Sequence, residues 1–336
     1  MGRGRYFLRR LLLIIPTILG LSLLTFTVSH IVPADPAALA AGPRATKEIV
    51  ESYRVEFGLD KPIYEQYWIY LKGLAQGDLG TSIISKRPVV DDIRDRFPAT
   101  LELAFVAMMI AVLIGVPLGV LAAVRRNGII DQFARVFAIS SVSIPEFWFA
   151  LILQLIFASS LGWLPLNKQF PTLRRPPDEV TGLLVLDNLI AGDFDGFVIA
   201  MKHIALPAFV LSIGAMAIIM RTLRGDMLEA LSQDYVRTAR AKGLSERKVV
   251  LRHAMRNAFI PSLTMIGLSF GWALGGAVLV ETVFDWPGIG SYAVQAATNL
   301  DFEPIMGVTL MIGIIFIVLN LVVDLLYGVL DPRIRY

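Results

Sequence analysis

The 336-residue sequence is 55% hydrophobic and 18% charged, and it contains no cysteine. This composition excludes an intrinsically disordered chain, which needs low hydrophobicity and high net charge. The missing cysteine excludes disulfide scaffolds and cysteine-ligated zinc or iron–sulfur sites, while the formal net charge is only +3.

Six apolar runs are long enough to cross a bilayer, which takes about 17–25 helical residues. We expect helices rather than barrel strands, because the runs are continuously apolar and do not alternate with polar residues. The predicted fold is therefore an all-α polytopic membrane protein with six transmembrane helices. The six runs are Leu11–Val32, Leu103–Val124, Val136–Leu161, Ile204–Met220, Ala258–Val280 and Ile305–Leu330.

The first run follows an arginine-rich segment, as a secretory signal peptide would. It is longer than the apolar region of a signal peptide, which has about 7–15 residues. We expect a retained membrane helix. The predicted organisation is an N-terminus with the first helix in residues 1–32, an external segment in 33–99, and a five-helix core in 100–336 that includes a cytoplasmic loop, 221–257.

Charge is distributed unevenly between the two sides of the predicted spans. The N-terminus, the turn 125–135, the loop 221–257 and the C-terminal residues carry 18 of the 31 Lys and Arg and only six acidic residues. The positive-inside rule then places these segments and both termini on the cytoplasmic side of the membrane.

The motifs of several enzyme classes are missing. No G-x-x-x-x-G-K-[ST] sequence is present, so we expect no ATPase site on this chain. No H-E-x-x-H zinc motif is present either. From these missing motifs we expect that this chain is not an enzyme and that it carries no cofactor or metal.

The loop between the fourth and fifth runs contains the most informative pattern. A short helix that starts near Asp234 is expected to end at Gly243, which supplies a left-handed residue. Val236, Ala239 and Gly243 recur at helical spacing and form a narrow face of small residues, which favours docking into a partner's groove. Two alternatives stay open: an ordinary positive-inside loop, or a surface for anionic lipid head groups. A nucleic-acid role is not indicated, because the positive-inside bias already accounts for the basic residues.

This loop resembles the EAA loop of ABC importer permeases, in the form typical of the dipeptide/oligopeptide/nickel branch. The pattern D-Y-V-x-x-A-x-A-K-G, followed by H-A-x-R-N and a proline, matches Asp234–Gly243, His253–Asn257 and Pro261. Arg237 stands where the general EAA form has an acidic residue, a departure that the branch shares. Further segments resemble the family in the right order: Pro33–Pro36, Phe57–Pro62, Gly77–Ser82, Ala99–Leu103, Glu281–Gly290 and Asp324–Arg333.

The resemblance implies the type I ABC importer permease fold and a division of labour among several chains. A second, homologous permease would complete the translocation path, and two cytoplasmic ATPases would bind ATP and Mg²⁺. An external binding protein would deliver the substrate. The ATPases would dock on the coupling element, for which the resemblance indicates Asp234, Tyr235, Val236, Ala239, Arg240, Ala241, Lys242, Gly243 and Leu244.

Three further groups of residues are candidates for function. Gly267, Gly271 and Gly275 share one helix face and predict close helix packing, either within the chain or with the paired permease. The segment after the fifth run is either an external gate or docking surface, or a turn at the membrane interface with Phe284 and Trp286 in the aromatic belt. Its candidate gate residues are Glu281, Asp285, Trp286, Pro287 and Gly288.

Acidic residues inside the apolar runs are few. Glu146 and Asp324 lie within runs and Glu102 lies at the entrance to one. Intramembrane acids are often functional, so Glu146 is a candidate polar residue of the path, with a structural role equally open. An ion-coupled secondary transporter, the alternative class, is expected to show more such residues near the bilayer centre.

The resemblance leaves the substrate open within its branch. Dipeptides or short peptides are expected from the frequency of such carriers in the branch. Nickel, haem, glutathione and sugar derivatives are the alternatives.

Overall fold

The computed structural model describes residues 3–31, 35–42 and 44–330. Val32 and Pro33, at the end of the first run, and the C-terminal Arg333 and Arg335 lie outside the described residues. The described part is helical, with one isolated antiparallel bridge between Thr81 and Pro88. Its helices are α1 (Arg3–Ile31), α2 (Pro36–Ala41), α3 (Lys47–Glu56), α4 (Ile63–Ala75), α5 (Val89–Val124), α6 (Ile129–Ser143), α7 (Glu146–Leu153), α8 (Leu184–Ile190), α9 (Phe194–Ser232), α10 (Asp234–Ala241), α11 (Glu246–Lys248), α12 (Met255–Val283), α13 (Ile289–Thr298) and α14 (Phe302–Leu330).

Two π-helical turns extend this set. Gln154–Ser160 continues α7, and Val249–Ala254 joins α11 to α12. Five continuous helical segments are long and apolar enough to cross a membrane, and the α6–α7 pair gives a sixth if it is counted as one span. The predicted all-α fold with six spans is thus confirmed, and the helices extend beyond most of the apolar runs.

The third span is not the single helix that its apolar run suggests. Between α6 and α7 the chain bends by 105°. The cause is local: Pro145 has no backbone N–H to donate, and Ile144 before it is extended, with φ −94° and ψ 123°. Glu146 opens the second half of this broken span.

Helix α9 has 39 residues and carries Pro207 in its interior. At 1.5 Å per residue it is about 58 Å long, well beyond the hydrocarbon core of about 30 Å. Its polar ends therefore extend into water on both sides. The side chain of Asp193 caps its first turn by accepting from the backbone N–H of Gly196 at 2.9 Å, and this contact, with Arg174, holds the pKa of Asp193 below its ordinary value.

The chain divides into two units. The first contains the described residues up to Pro98 together with Pro287–Ile317, and the second contains Ala99–Trp286 and the residues from Val318 onward. The boundary near residue 99 coincides with the predicted end of the external segment. Residues 287–317 belong to the first unit, and the predicted organisation into residues 1–32, 33–99 and 100–336 stays a prediction.

The first unit has an apolar centre built from Val89, Ile93, Ile289, Tyr292 and Val308. The hydroxyl of Tyr292 donates to Asp92 Oδ2 at 2.9 Å. Burial and this carboxylate together raise the pKa of Tyr292. A buried hydrogen bond thus joins α5 to α13.

In the second unit, a buried ion pair joins α6 to α9. Asp131 is fully buried and accepts from the guanidinium of Arg224, with Oδ2 to Nη2 at 2.9 Å. The same carboxylate accepts from the backbone N–H of Asn127 at 2.9 Å. It therefore also fixes the turn between α5 and α6.

We expect Asp131→Ala to lower the free energy of unfolding by about 1–3 kcal/mol, because it leaves the partly buried Arg224 without its partner. Thermal unfolding of the purified chain in detergent measures the change. Asp234→Ala is the matched control: Asp234 pairs with Arg237 at 3.4 Å on an exposed surface, where such pairs contribute little. An equal loss in both variants would contradict the structural role of Asp131.

Candidate functional site

The coupling element predicted from the sequence forms a helix and a chain reversal between α9 and α12. Helix α10 covers Asp234–Ala241. The chain then turns at Gly243, whose φ of +73° confirms the left-handed residue expected there. The N–H of Gly243 donates to the carbonyl of Arg240 at 3.0 Å, which closes the end of the helix.

One face of α10 is buried in the chain itself. Val236 and Ala239 are 0% and 5% exposed, and they belong to an apolar cluster at the ends of α5, α9 and α12. Here the structure corrects the sequence interpretation, in which these two side chains formed a docking face for a partner. The spacing identified a packing face, but the face packs internally. The cluster comprises Val120, Ala123, Leu223, Met227, Ala230, Val236, Ala239, Val249, Val250, Ala254 and Ala258.

The other faces of the coupling element are exposed. Among the exposed residues of the coupling element, Tyr235 and Leu244 have large apolar side chains. Arg240 donates to both carboxylate oxygens of Glu246, at 2.6 Å and 3.1 Å, and this carboxylate raises the pKa of Arg240. The pair ties α10 to α11 across the turn. The exposed members of the predicted set are Asp234, Tyr235, Arg240, Ala241, Lys242, Gly243 and Leu244.

Gly243 offers a clean test of the turn, because a Cβ at this position would meet no atom within 4 Å. The cost of a side chain is therefore conformational only. We expect Gly243→Ala to lower the free energy of unfolding by about 1–2 kcal/mol, the usual penalty for an L-residue in the left-handed region.

Gly225 in α9 is the matched control, since a Cβ there also meets nothing within 4 Å but its φ is not positive. Gly225→Ala is expected to stabilise the chain by about 0.5–1 kcal/mol, because alanine loses less conformational freedom in a helix. Thermal unfolding measures both variants. Shifts of the same sign would show that the left-handed conformation is not what Gly243 supplies.

The three glycines on one face of α12 lie in different environments. A Cβ on Gly267 would lie 2.1 Å from Cγ2 of Val323, so this glycine permits close packing of α12 on α14. Gly271 is buried, while Gly275 is exposed and a Cβ there would meet nothing within 4 Å. The sequence left internal packing and a partner interface open. The structure assigns Gly267 to internal packing and leaves Gly275 available for a partner.

Ser269 lies in the stretch Gly267–Gly271, which has the G-x-S-x-G spacing of a hydrolase nucleophile elbow. Its context is different, because Ser269 is buried within the uninterrupted helix α12. A nucleophile elbow needs a sharp turn from a strand into a helix. The spacing therefore carries no catalytic meaning here.

The turn after α12 is built on buried side chains. Trp286 is 1% exposed, and its Nε1–H donates to the carbonyl of Ala99 at 2.9 Å. Glu281 is fully buried and accepts from the hydroxyl of Thr100 at 2.6 Å. Phe284 is also buried, so neither aromatic residue lies in a lipid-facing belt, contrary to one of the two sequence interpretations.

The structure also limits which of the candidate gate residues in this turn are accessible. Glu281, Trp286 and Gly288 are buried, whereas Asp285 and Pro287 are exposed. Asp285 has a φ of +49°, which marks a tight reversal. A docking surface at this turn can therefore use Asp285 and Pro287, but not the indole of Trp286.

Glu146 lies beside a small cavity of about 190 Å³ between α6, α7 and α9. The cavity is also lined by Ser140, Ser141 and Gly214. Within the part of the chain that the structure describes, the Glu146 carboxylate makes no ion pair or hydrogen bond. A path role and a structural role for Glu146 both remain predictions.

Sequence reasoning missed the role of Glu102. Its Oε1 accepts from the backbone N–H of Val185 at 2.6 Å and its Oε2 from the side chain of Gln169 at 2.9 Å. Glu102 thereby caps α8 and joins the loop 162–183 to α5. The position of an acid at the entrance of an apolar run was the available signal, but its partners lie 67 and 83 residues away in the chain.

Glu102 also borders a cavity of about 850 Å³ between α5, α7, α8 and α9. Apart from Glu102 its lining is apolar, with Phe105, Met109, Phe157 and Phe209 among the side chains. Among the described residues that line this cavity, the one charged side chain is thus already hydrogen-bonded through both of its oxygens.

Comparisons with known proteins agree over nearly the whole chain. Residues 115–336 match the family described as "Binding-protein-dependent transport system inner membrane component", and residues 4–104 match the N-terminal family of such membrane components. The chain is 47% identical over 315 residues to the probable D,D-dipeptide transport system permease protein DdpB of Escherichia coli (strain K12), which covers 94% of this chain and 93% of the relative.

A second relative is the dipeptide transport system permease protein DppB of Alkalihalophilus pseudofirmus. It is 43% identical over 332 residues, with 98% of this chain and 99% of the relative covered. Among solved structures, a chain of the MetNI methionine ABC transporter in an inward-facing conformation matches with a TM-score of 0.50 and 16% identity, over 69% of this chain and 93% of that chain. At this identity the likeness bears on the fold alone, and it confirms the predicted type I permease fold.

Proposed function

The chain belongs to the inner-membrane components of binding-protein-dependent transport systems, the permease subunits of ABC importers, and on this premise we propose that it forms half of a translocation path for dipeptides or short peptides. Members of this family leave ATP hydrolysis to separate subunits. The observation that carries the substrate proposal is the 43–47% identity to permeases of dipeptide systems over nearly the full length.

The partners follow from the family. Permeases of ABC importers work with ATPases and with a substrate-binding protein. We propose one homologous permease as the second half of the path, two ATPases that hold ATP and Mg²⁺ on the cytoplasmic side, and a binding protein on the external side. The positive-inside bias supports cytoplasmic termini and a cytoplasmic coupling loop in a bacterial inner membrane.

The packing of α10 supports its proposed role as the coupling element. Its buried face joins the ends of α5, α9 and α12 in one apolar cluster, while Tyr235 and Leu244 remain exposed. An ATPase bound to the exposed side of α10 would therefore move the spans α5, α9 and α12 together. Rigid-body motion of this kind is a recognised route to alternating access.

The double variant Tyr235→Ala/Leu244→Ala tests this role. Tyrosine is enriched among the few interface residues whose truncation costs about 2 kcal/mol or more. If Tyr235 is such a residue, the ATPase should bind at least about tenfold more weakly. Thermal unfolding of the variant is measured in parallel, because Tyr235 and Leu244 are 38% and 36% exposed and also contribute to the packing of the chain itself. Retention of the ATPase during purification, and its affinity for the permease pair in detergent, measure the effect.

Leu173→Ala is the matched control for that experiment. Leu173 is a fully exposed apolar side chain in the loop between α7 and α8. This loop follows the third predicted span and is therefore predicted to lie on the opposite side from the cytoplasmic turn 125–135. Its variant should bind the ATPase as the unaltered chain does. Wild-type affinity in the double variant would refute α10 as the docking element.

Transport by the assembled importer in proteoliposomes tests the substrate. With ATP inside and the cognate binding protein outside, we expect uptake of a labelled dipeptide, and an excess of unlabelled dipeptide should compete more strongly than glutathione or nickel. Uptake of one of those alternatives without dipeptide uptake would refute the peptide proposal. Uptake by this chain alone under an ion gradient would instead support a secondary transporter.

A further inference from the structure

Helix α4, in the segment predicted to be wholly external, packs along the membrane-spanning helix α1. The Tyr67 hydroxyl lies 3.1 Å from the hydroxyl of Ser22 and donates to the carbonyl of Leu19 at 3.4 Å. The ring of Phe26 lies against Tyr67, with the ring centroids 5.1 Å apart. Gln66 Oε1 lies 3.0 Å from a ring nitrogen of His30.

These contacts place α4 beside the membrane-spanning stretch of α1. Their partners on α1 all belong to the apolar stretch Leu12–His30, which is long enough to cross a membrane. Ser22 lies about 12 Å along the helix axis from His30, within a hydrocarbon core of about 30 Å. Gln66 contacts His30 at the end of this stretch. The long Tyr67 side chain extends from there towards Ser22 and Leu19. Helix α4 therefore lies beside the outer part of the span and not above it in water.

The opposite face of α4 carries large side chains that the described part of the chain leaves exposed. Tyr64 and Trp68 are one turn apart and are 68% and 69% exposed. Glu65, Ile69 and Lys72 are exposed on the same side of the helix. Tyrosine and tryptophan combine an apolar ring with a polar atom, and together with charged neighbours they are typical of the membrane–water interface.

We propose that α4 is an interfacial helix, and that its Tyr64–Trp68 face contacts phospholipid at the boundary between head groups and acyl chains. The occupant follows from continuity, because the adjoining surface of α1 exposes Leu19, Leu23 and Leu24 on a helix long enough to span. Helices with an aromatic and aliphatic face and a charged rim bind in the plane of the interface. The segment between α1 and α5 is thereby anchored to the membrane and is not wholly aqueous.

Because the sequence contains no cysteine, a single introduced cysteine can be labelled specifically. A nitroxide label is attached to Trp68→Cys in the assembled importer, in vesicles of phosphatidylethanolamine and phosphatidylglycerol. Collision rates with lipid-soluble oxygen and with a water-soluble nickel chelate are measured by electron paramagnetic resonance. Tyr64→Cys is the second variant, in case the first does not assemble.

Two control positions bracket the result. Leu24→Cys on α1 marks the acyl region and Ile84→Cys, in a turn of the same unit, marks water; both native side chains are 59% exposed. We expect the ratio of oxygen to nickel collisions at position 68 to be severalfold above that at position 84 and below that at position 24. A ratio equal to that at position 84 would place α4 in water. Shielding from both reagents would show that a protein covers this face, and either result would overturn the proposal.

Discussion

Hydrocarbon offers no hydrogen-bond partner, and the architecture of this chain follows from that constraint. Backbone groups are satisfied inside long helices, and three acids at the ends of spans are bound by specific partners, whereas Glu146 has no such partner among the described residues. Asp131 is paired with Arg224, Glu102 is held by Val185 and Gln169, and the carboxylate of Glu281 accepts from Thr100. Each of these contacts connects the end of a span to a neighbouring helix or loop, so the polar residues organise the connections while apolar packing forms the interior.

The packing of α10 is compatible with its proposed role as a coupling element. Docking through buried side chains would require the helix to leave the chain's own core, at the cost of exposing Val236 and Ala239 to water. The observed arrangement avoids this, because one face is permanently packed against the spans and the other is free for an ATPase. The Arg240–Glu246 pair and the left-handed Gly243 fix the direction of the chain after the helix.

Much of the fold could be predicted from the sequence, because the signals are local. Continuous apolar runs indicated the spans, and Gly243 indicated the end of α10. Features that depend on distant partners could not be predicted: the Asp131–Arg224 pair joins residues 93 positions apart, and the Trp286 hydrogen bond reaches 187 positions to Ala99. Helical spacing identified a packing face on α10 and on α12, but it contained no information on which partner covers Val236, Ala239 or Gly267.

Proline at position 207 gives α9 a mechanical property that its length amplifies. Pro207 has no N–H for the helical ladder, and helices bend most readily where such a bond is missing. The 25 residues from there to Ser232 form a rod of about 38 Å, so a bend of about 10° at the proline would displace the far end by about 6–7 Å. That displacement exceeds one helical turn, and it would occur where α9 meets α10. A small change in the bend angle at Pro207 would thus produce a displacement of several ångströms at the surface to which the ATPase is proposed to bind.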